Sequence, residues 1–217
     1  MKKTLLLFTF VFGVSYAAFA DACVSDSLAD YITDGSCTIG DLTFSNFSYT
    51  PTSIGAIIVP PAGSVTVDPI TGAESGLEFD AGWFANPGTL EDSLIKYTVT
   101  CTGCAIDDWV LSLAGEGSSG DGIVNVAETS PEVSGGLTQT FVAGNLAGTG
   151  SATFAPVGSL SVAKDILVYG GGVPMTSTQV SSVTNLFSTT ATPEPSLLIL
   201  CLGLLGLVPI ARRKLVG

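Results

Sequence analysis

Cys101 and Cys104, spaced C-x-x-C in "CTGC", come nearest to a reactive centre by type and spacing. Such a pair can be a redox dithiol, half of a zinc site or a disulfide that staples a turn. Here it follows the strand-like "SLIKYTVTC" and precedes "GCAIDD". No helix start is present to lower a thiol pKa, and no second ligand pair follows at a matching distance. The expectation is a turn-stapling disulfide. Cys23 and Cys37 lie near the N-terminus, and Cys201 lies in an apolar C-terminal run. Cys23, Cys37, Cys101 and Cys104 allow three pairings, among which sequence does not choose. The local pairs, Cys23–Cys37 and Cys101–Cys104, are the expected ones.

The remaining chemistry would have to come from carboxylates. The chain has no histidine, which removes the usual general base, the Ser-His and Cys-His nucleophile pairs and most zinc and copper sites. Asp107-Asp108, Glu91-Asp92 and Asp121 could offer oxygen ligands to calcium, the one cofactor worth considering. No D-x-D-x-D-G loop is present, and adjacent acids on a strand point to opposite faces. A solvated acidic surface with no bound metal is expected. A glycosidase would need two carboxylates at a defined separation across a cleft, and the many acids single out no pair. Gly170–Gly172 reads as a turn before Val173-Pro174, without the context of a phosphate-binding loop. No catalytic residue is assigned, and the expectation is a protein that is not an enzyme.

Charge narrows the partners. Setting aside Lys2 and Lys3 at one end, and Glu194, Arg212, Arg213 and Lys214 at the other, leaves 18 acids against 2 bases. The net charge of this body is −16, and its only bases are Lys96 and Lys164. Nucleic acid is excluded as a partner because phosphate binding needs clustered Lys and Arg. The acids are spread along the chain, so self-repulsion favours solubility.

The elements that would carry these residues are strands. "MKKTLLLFTFVFGVSYAAFADAC" has a basic start, an apolar stretch and Ala18-Phe19-Ala20. It reads as a secretory signal peptide cut between Ala20 and Asp21. From there, β-branched and aromatic runs alternate with Gly, Ser, Thr, Asn and Pro at spacings of roughly ten residues. In "LTFSNFSYT" the apolar phase runs Leu42, Phe44, then Phe47, Tyr49, a one-residue shift that predicts a β-bulge near Ser45-Asn46. Ile54–Val59 is a further apolar run, stopped by Pro60-Pro61. "DSLIKYTVTC" puts Ile95, Tyr97 and Val99 on one face and Lys96 and Thr98 on the other. "AIDDWVLSLAG" groups Trp109, Leu111 and Leu113. "GIVNVAET", "LTQTFVAG", "SATFAPVG", "SLSVAKDILVYG" and "QVSSVTNLFST" continue the pattern. No window keeps a helical period. The fold class is all-β, a β-sandwich or jelly-roll-like ectodomain. Trp83, Trp109, Phe79 and Tyr97 are expected in its core, the alternative being an exposed aromatic strip that stacks on sugar rings.

The C-terminus, "ATPEPSLLILCLGLLGLVPIARRKLVG", explains where such a domain goes. Residues 197–211 form an apolar run near the lower limit for crossing a bilayer. Arg212, Arg213 and Lys214 follow as a basic stop on the cytoplasmic side. Pro193, Glu194 and Pro195 precede it, two prolines biasing the chain to an extended, accessible form. This order of Pro-Glu-Pro, short apolar helix and Arg-rich end resembles the PEP-CTERM sorting signal. The resemblance implies a protein exported through the inner membrane of a Gram-negative bacterium that makes exopolysaccharide. It also implies processing at the membrane by an exosortase, a transpeptidase-like membrane enzyme. "CTIGDLTFSNFSY", "DSLIKYTVT", "GIVNVAET" and "VSSVTNLFST" more loosely resemble segments of domains that precede this tail.

The chain thus divides into a signal peptide (1–20), a β-sandwich ectodomain (21–190) and a sorting signal with a short transmembrane helix (191–217). The expected function is a non-catalytic surface or extracellular-matrix protein, transiently anchored through its C-terminal helix and associated with exopolysaccharide. The alternatives are a carbohydrate-binding or calcium-dependent adhesive module, and a permanently membrane-anchored periplasmic protein.

Overall fold

The computed structural model describes residues 20–191. In chain order its strands are β1 (Asp21–Ala22), β2 (Asp26–Ser27), β3 (Ser36–Ile39), β4 (Leu42–Ile54) and β5 (Thr66–Ile70). There follow β6 (Ser75–Ala85), β7 (Leu90–Cys101), β8 (Cys104–Ala114), β9 (Gly117–Ser118) and β10 (Ile123–Thr129). The last are β11 (Leu137–Val142), β12 (Asn145–Thr149), β13 (Ser151–Val157), β14 (Ser159–Tyr169) and β15 (Thr178–Ala191). Eight strands form one sheet in the order β1-β3-β4-β7-β14-β10-β11-β12. The other runs β13-β8-β15-β6-β5-β2, with β9 added against β15. β1 pairs with β3 in parallel, and the remaining pairs are antiparallel.

The chain itself joins the sheets at both edges. β1 starts in the first sheet and β2, a few residues later, lies in the second. At the opposite edge β12 passes through Gly150 into β13 of the other sheet, with the Leu111 amide donating to the Gly150 carbonyl.

Period-two alternation decides what faces inward. β7 turns Glu91, Ser93, Ile95, Tyr97 and Val99 to the interior, and β14 turns in Leu160, Val162, Lys164, Ile166 and Val168. The expected core aromatics are there: Trp83, Trp109 and Phe79 are 0% exposed and Tyr97 2%. These four are therefore packing, and the sugar-stacking strip built on Trp83 and Trp109 is ruled out by position.

The predicted bulge is present. The β4–β7 register shifts between Ser45 and Ser48, and Asn46 takes a φ of 57°. The extra residue lets Phe44 and Phe47 both reach the core despite the break in phase.

Two sequence expectations are corrected. Ile54–Val59 is not a strand of its own: β4 ends at Ile54, Gly55 turns the chain at a φ of 91°, and Ile58 is exposed. With Pro60-Pro61 withholding donors, that segment runs as a loop. A short helix, α1 (Leu28–Asp34), was not anticipated from periodicity. The Ser27 side chain accepts from the Asp30 amide and caps it, and Gly35 closes it with a φ of 83°. Leu28 and Tyr31 anchor it, with Tyr31 edge-on to Phe47 at 5.1 Å. Among the described residues no helix is long and apolar enough to cross a membrane.

Candidate functional site

The Cys23–Cys37 pairing stands as expected. Cys23 and Cys37 are joined by a disulfide with Cα atoms 4.8 Å apart, tying the strand-to-strand segment after β1 onto β3. Cys101 and Cys104 end β7 and start β8, facing each other across a turn in which Gly103 has a φ of 75°. Their Cα atoms are 5.3 Å apart, the separation a disulfide spans. Ala20 accepts a bond from the Thr38 hydroxyl through its carbonyl, and Asp21 pairs with Cys37, so the expected cleavage position falls at the first residue of β1. Pro193, Glu194, Pro195, Arg212, Arg213 and Lys214 lie outside the described residues.

The acids do not converge on a metal centre. Among the described residues no three or more Cys, Asp or Glu side chains group closely enough to hold an ion. Asp121 accepts from the amides of Gly172 and Val173, and the Gly172 bonds hold its carboxyl below the usual range. It ties down the Gly170–Gly172 turn, where a Cβ on Gly170 would collide with the Asn86 carbonyl. Asp107 and Asp108 fall at a register irregularity of β8. Asp108 is pushed up by burial and by the charges of Glu74 and Asp107. A hollow of about 420 Å³ is an open depression at the N-terminal edge, where Asp21, Asp26 and Asp34 line it beside Tyr31.

The densest polar chemistry lies in the middle of the sandwich, where no site was expected. Lys164 on β14 and Glu128 on β10 are cross-strand neighbours on the inward face, and both are fully buried. Lys164 Nζ meets Glu128 Oε1 at 2.5 Å. Glu128 Oε2 accepts from Asn185 Nδ2 at 2.6 Å, and Asn185 comes from β15 in the opposite sheet. Asn185 Nδ2 also reaches the Val110 carbonyl at 3.3 Å. On the far side of the amide, the Tyr97 hydroxyl donates to Asn185 Oδ1 at 2.8 Å. One carboxylate thus bridges an amine and a carboxamide, and a phenol holds the carboxamide oxygen.

Aromatic rings keep this quartet dry. Lys164 Nζ sits 5.4 Å from the centre of the Phe79 ring, and Phe79 and Phe47 lie 5.8 Å from Tyr97. Phe44 packs against both Tyr97 and Phe187. Burial pushes the Lys164 amine down, although the charge and hydrogen bond of Glu128 oppose the shift. Tyr97 is pushed well up by burial and by the Glu128 charge, so its hydroxyl keeps its proton. Such an arrangement can bind, polarise and exchange protons between nitrogen atoms, but it offers no opening to a diffusing substrate.

The quartet was readable in part. Strict alternation in "SLSVAKDILVYG" puts Lys164 in the same phase as Val162 and Ile166, and "GIVNVAET" puts Glu128 in phase with Val126. Asn185 shares the phase of Val183 and Phe187. A polar residue of each kind in an apolar register was the signal.

A second buried carboxylate stands at the start of β7. Glu91 Oε2 accepts from the Phe84 amide at 2.9 Å, while Oε1 has no partner. Burial raises its carboxyl to about 7. The Tyr49 hydroxyl, bonded to the Pro60 carbonyl and to Ser93, is raised by its burial and in part by the Glu91 charge.

No family profile and no curated protein matches the chain. Among solved structures, that of TmCBM61 in complex with β-1,4-galactotriose aligns with 66% of this chain and 88% of its own. The identity is 7% and the TM-score 0.25, too low to carry an argument about ligand or mechanism.

Proposed function

We propose that this protein is a non-catalytic, exported surface or matrix protein, sorted and processed through its C-terminal tail and associated with exopolysaccharide. The observation that carries the reading is the three-part tail: Pro193-Glu194-Pro195, the apolar run 197–211, and Arg212, Arg213 and Lys214. It begins two residues past the end of β15, a strand flanked on both sides within its sheet. An exosortase-like transpeptidase would act on the Pro-Glu-Pro while the apolar run holds the protein in the membrane. The domain left outside has the features of a passive structural part: an all-β body, a disulfide at its N-terminal edge, and tryptophans committed to packing. Its acids and lack of histidine suit a polysaccharide-rich exterior and supply no evident catalytic set.

The test replaces Arg212, Arg213 and Lys214 together by neutral residues and follows the protein in its native cells. Moving such charges into a bilayer core is costly, so the variant is expected to lose retention at the membrane and the processing that follows. Unchanged location and unchanged length would overturn the reading. If the domain binds polysaccharide directly, a pull-down will be saturable, and the buried Trp83 and Trp109 will not be the contacts.

A further inference from the structure

Lys164 and Asn185 are a nucleophile and an acyl group held at the two ends of one carboxylate, between sheets, away from water. An amine displaces ammonia from a carboxamide only if several conditions meet. The amine must shed its proton, the carbonyl must be polarised, and the leaving nitrogen must be protonated. Both reactants must also be held in place. Each requirement has a named group here. Glu128 Oε1 contacts the amine and Oε2 contacts the amide nitrogen, at 2.5 and 2.6 Å. The Tyr97 hydroxyl lies 2.8 Å from the amide oxygen, where negative charge would collect. All four side chains are at most 2% exposed.

We propose that Lys164 and Asn185 join in an intramolecular isopeptide bond, with Glu128 as the proton carrier and Tyr97 as the donor to the oxygen. This inference is independent of how the C-terminal tail is processed. The reaction starts from the form of the pair in which Lys164 is uncharged and its proton has passed to Glu128 across their hydrogen bond. The Lys164 Nζ lone pair attacks Cγ of Asn185, and Oδ1 takes up negative charge against the Tyr97 hydroxyl. Glu128 delivers its proton to Nδ2 and takes one from Nζ. The Cγ–Nδ2 bond breaks and ammonia leaves. One amine and one primary amide become one secondary amide and one ammonia, Glu128 is regenerated, and no oxidant or reductant is consumed. Burial favours the uncharged amine that the first step needs.

The product removes a liability. A buried ion pair carries a desolvation cost that its own attraction does not reliably offset. A secondary amide holds the same two side chains together without either charge. The bond would link β14 of one sheet to β15 of the other. It would thereby fix the strand that leads into the tail.

The test is the mass of the mature full-length protein after its disulfides are reduced, followed by digestion on the N-terminal side of aspartate. Cleavage before Asp165 leaves Lys164 and Asn185 on separate peptides unless they are joined. The expected result is a whole-protein mass lower by one ammonia and a single branched peptide linking Lys164 to Asn185. Glu128→Gln is expected to restore the full mass and two linear peptides. A wild-type protein of full sequence mass would overturn the proposal. So would an ammonia loss confined to one linear peptide, as cyclisation of an asparagine would give. The wild-type result stands alone if the variant fails to fold. A branch that forms unimpaired in Glu128→Gln would overturn the role given to Glu128.

Discussion

Glu128 and Glu91 are both fully buried carboxylates of the same sheet, and they differ in company. Glu128 has a cation on one oxygen and an amide on the other. Glu91 has one backbone amide and an oxygen with no partner. The first is a complete electrostatic circuit that spans the two sheets. The second meets its burial by keeping its proton, with a carboxyl raised to about 7. The contrast shows that burial alone does not decide what a carboxylate does. A neighbouring amine makes one carboxylate the hub of a paired network, and the lack of one leaves the other a titrating element of stability.

The largest expected effects test whether the Glu128 region depends on pairing. Glu128→Ala leaves Lys164 buried without its counter-charge and should cost about 3–5 kcal/mol in denaturant unfolding. Replacing Lys164 and Glu128 together by Met and Leu should give a more stable protein than Glu128→Ala, since both lack the proposed bond and only the single variant buries an unpaired charge. A double variant as weak as the single one would mean that shape, not charge, was lost. At the other region, Trp83 adjoins the Phe84 amide that holds Glu91 and is packing. Trp83→Ala should cost about 3–5 kcal/mol in thermal or denaturant unfolding. Full stability in that variant would contradict a core position.

A disulfide effect of intermediate size should leave the comparison untouched. Cys23→Ser opens a bridge across 14 residues and should cost about 2–4 kcal/mol by denaturant midpoint. The distinction between the two glutamates should survive in that background.

The smallest effect is the sharpest for Glu91. Folded Glu91 holds its proton up to about pH 7, whereas an unfolded glutamate releases it near 4.5. Between those values the native state binds more protons, so stability should fall as pH rises through the window and level off above it. Glu91→Gln should flatten that part of the stability-against-pH curve. An unchanged slope would move the titration to another group.

Much of the fold was legible because its rules are local. The phase break at Ser45-Asn46 announces the bulge, and alternation alone places Tyr97, Trp109 and Leu111 inward. Helix α1 escaped because its seven residues are too few to show a period, although Ser27-x-x-Asp30 carried the capping signal. The Ile54–Val59 run misled because apolar content does not make a strand once Gly55 and Pro60 remove the geometry and the donors.

The candidate site was legible one residue at a time and not as a site. Lys164, Glu128, Asn185 and Tyr97 each sit in an apolar phase, and alternation alone puts each of them inside. Their meeting depends on which strands pair, β10 beside β14 and β15 opposite them, and no local pattern states that. The two lysines of the body make the point: Lys96 faces outward on β7 while Lys164 faces inward on the adjacent strand.

β15 brings the two halves of the account together, since it supplies Asn185 to the core and then leads toward Pro193. The functional claim is that the tail is a processed sorting signal. Its most direct measurement is the mass of the C-terminal peptide of the protein recovered from the surface or matrix of its own cells. The account predicts a peptide that stops upstream of Arg212, within or near Pro193-Glu194-Pro195. A peptide running intact through Arg212, Arg213 and Lys214 to Gly217 would contradict it.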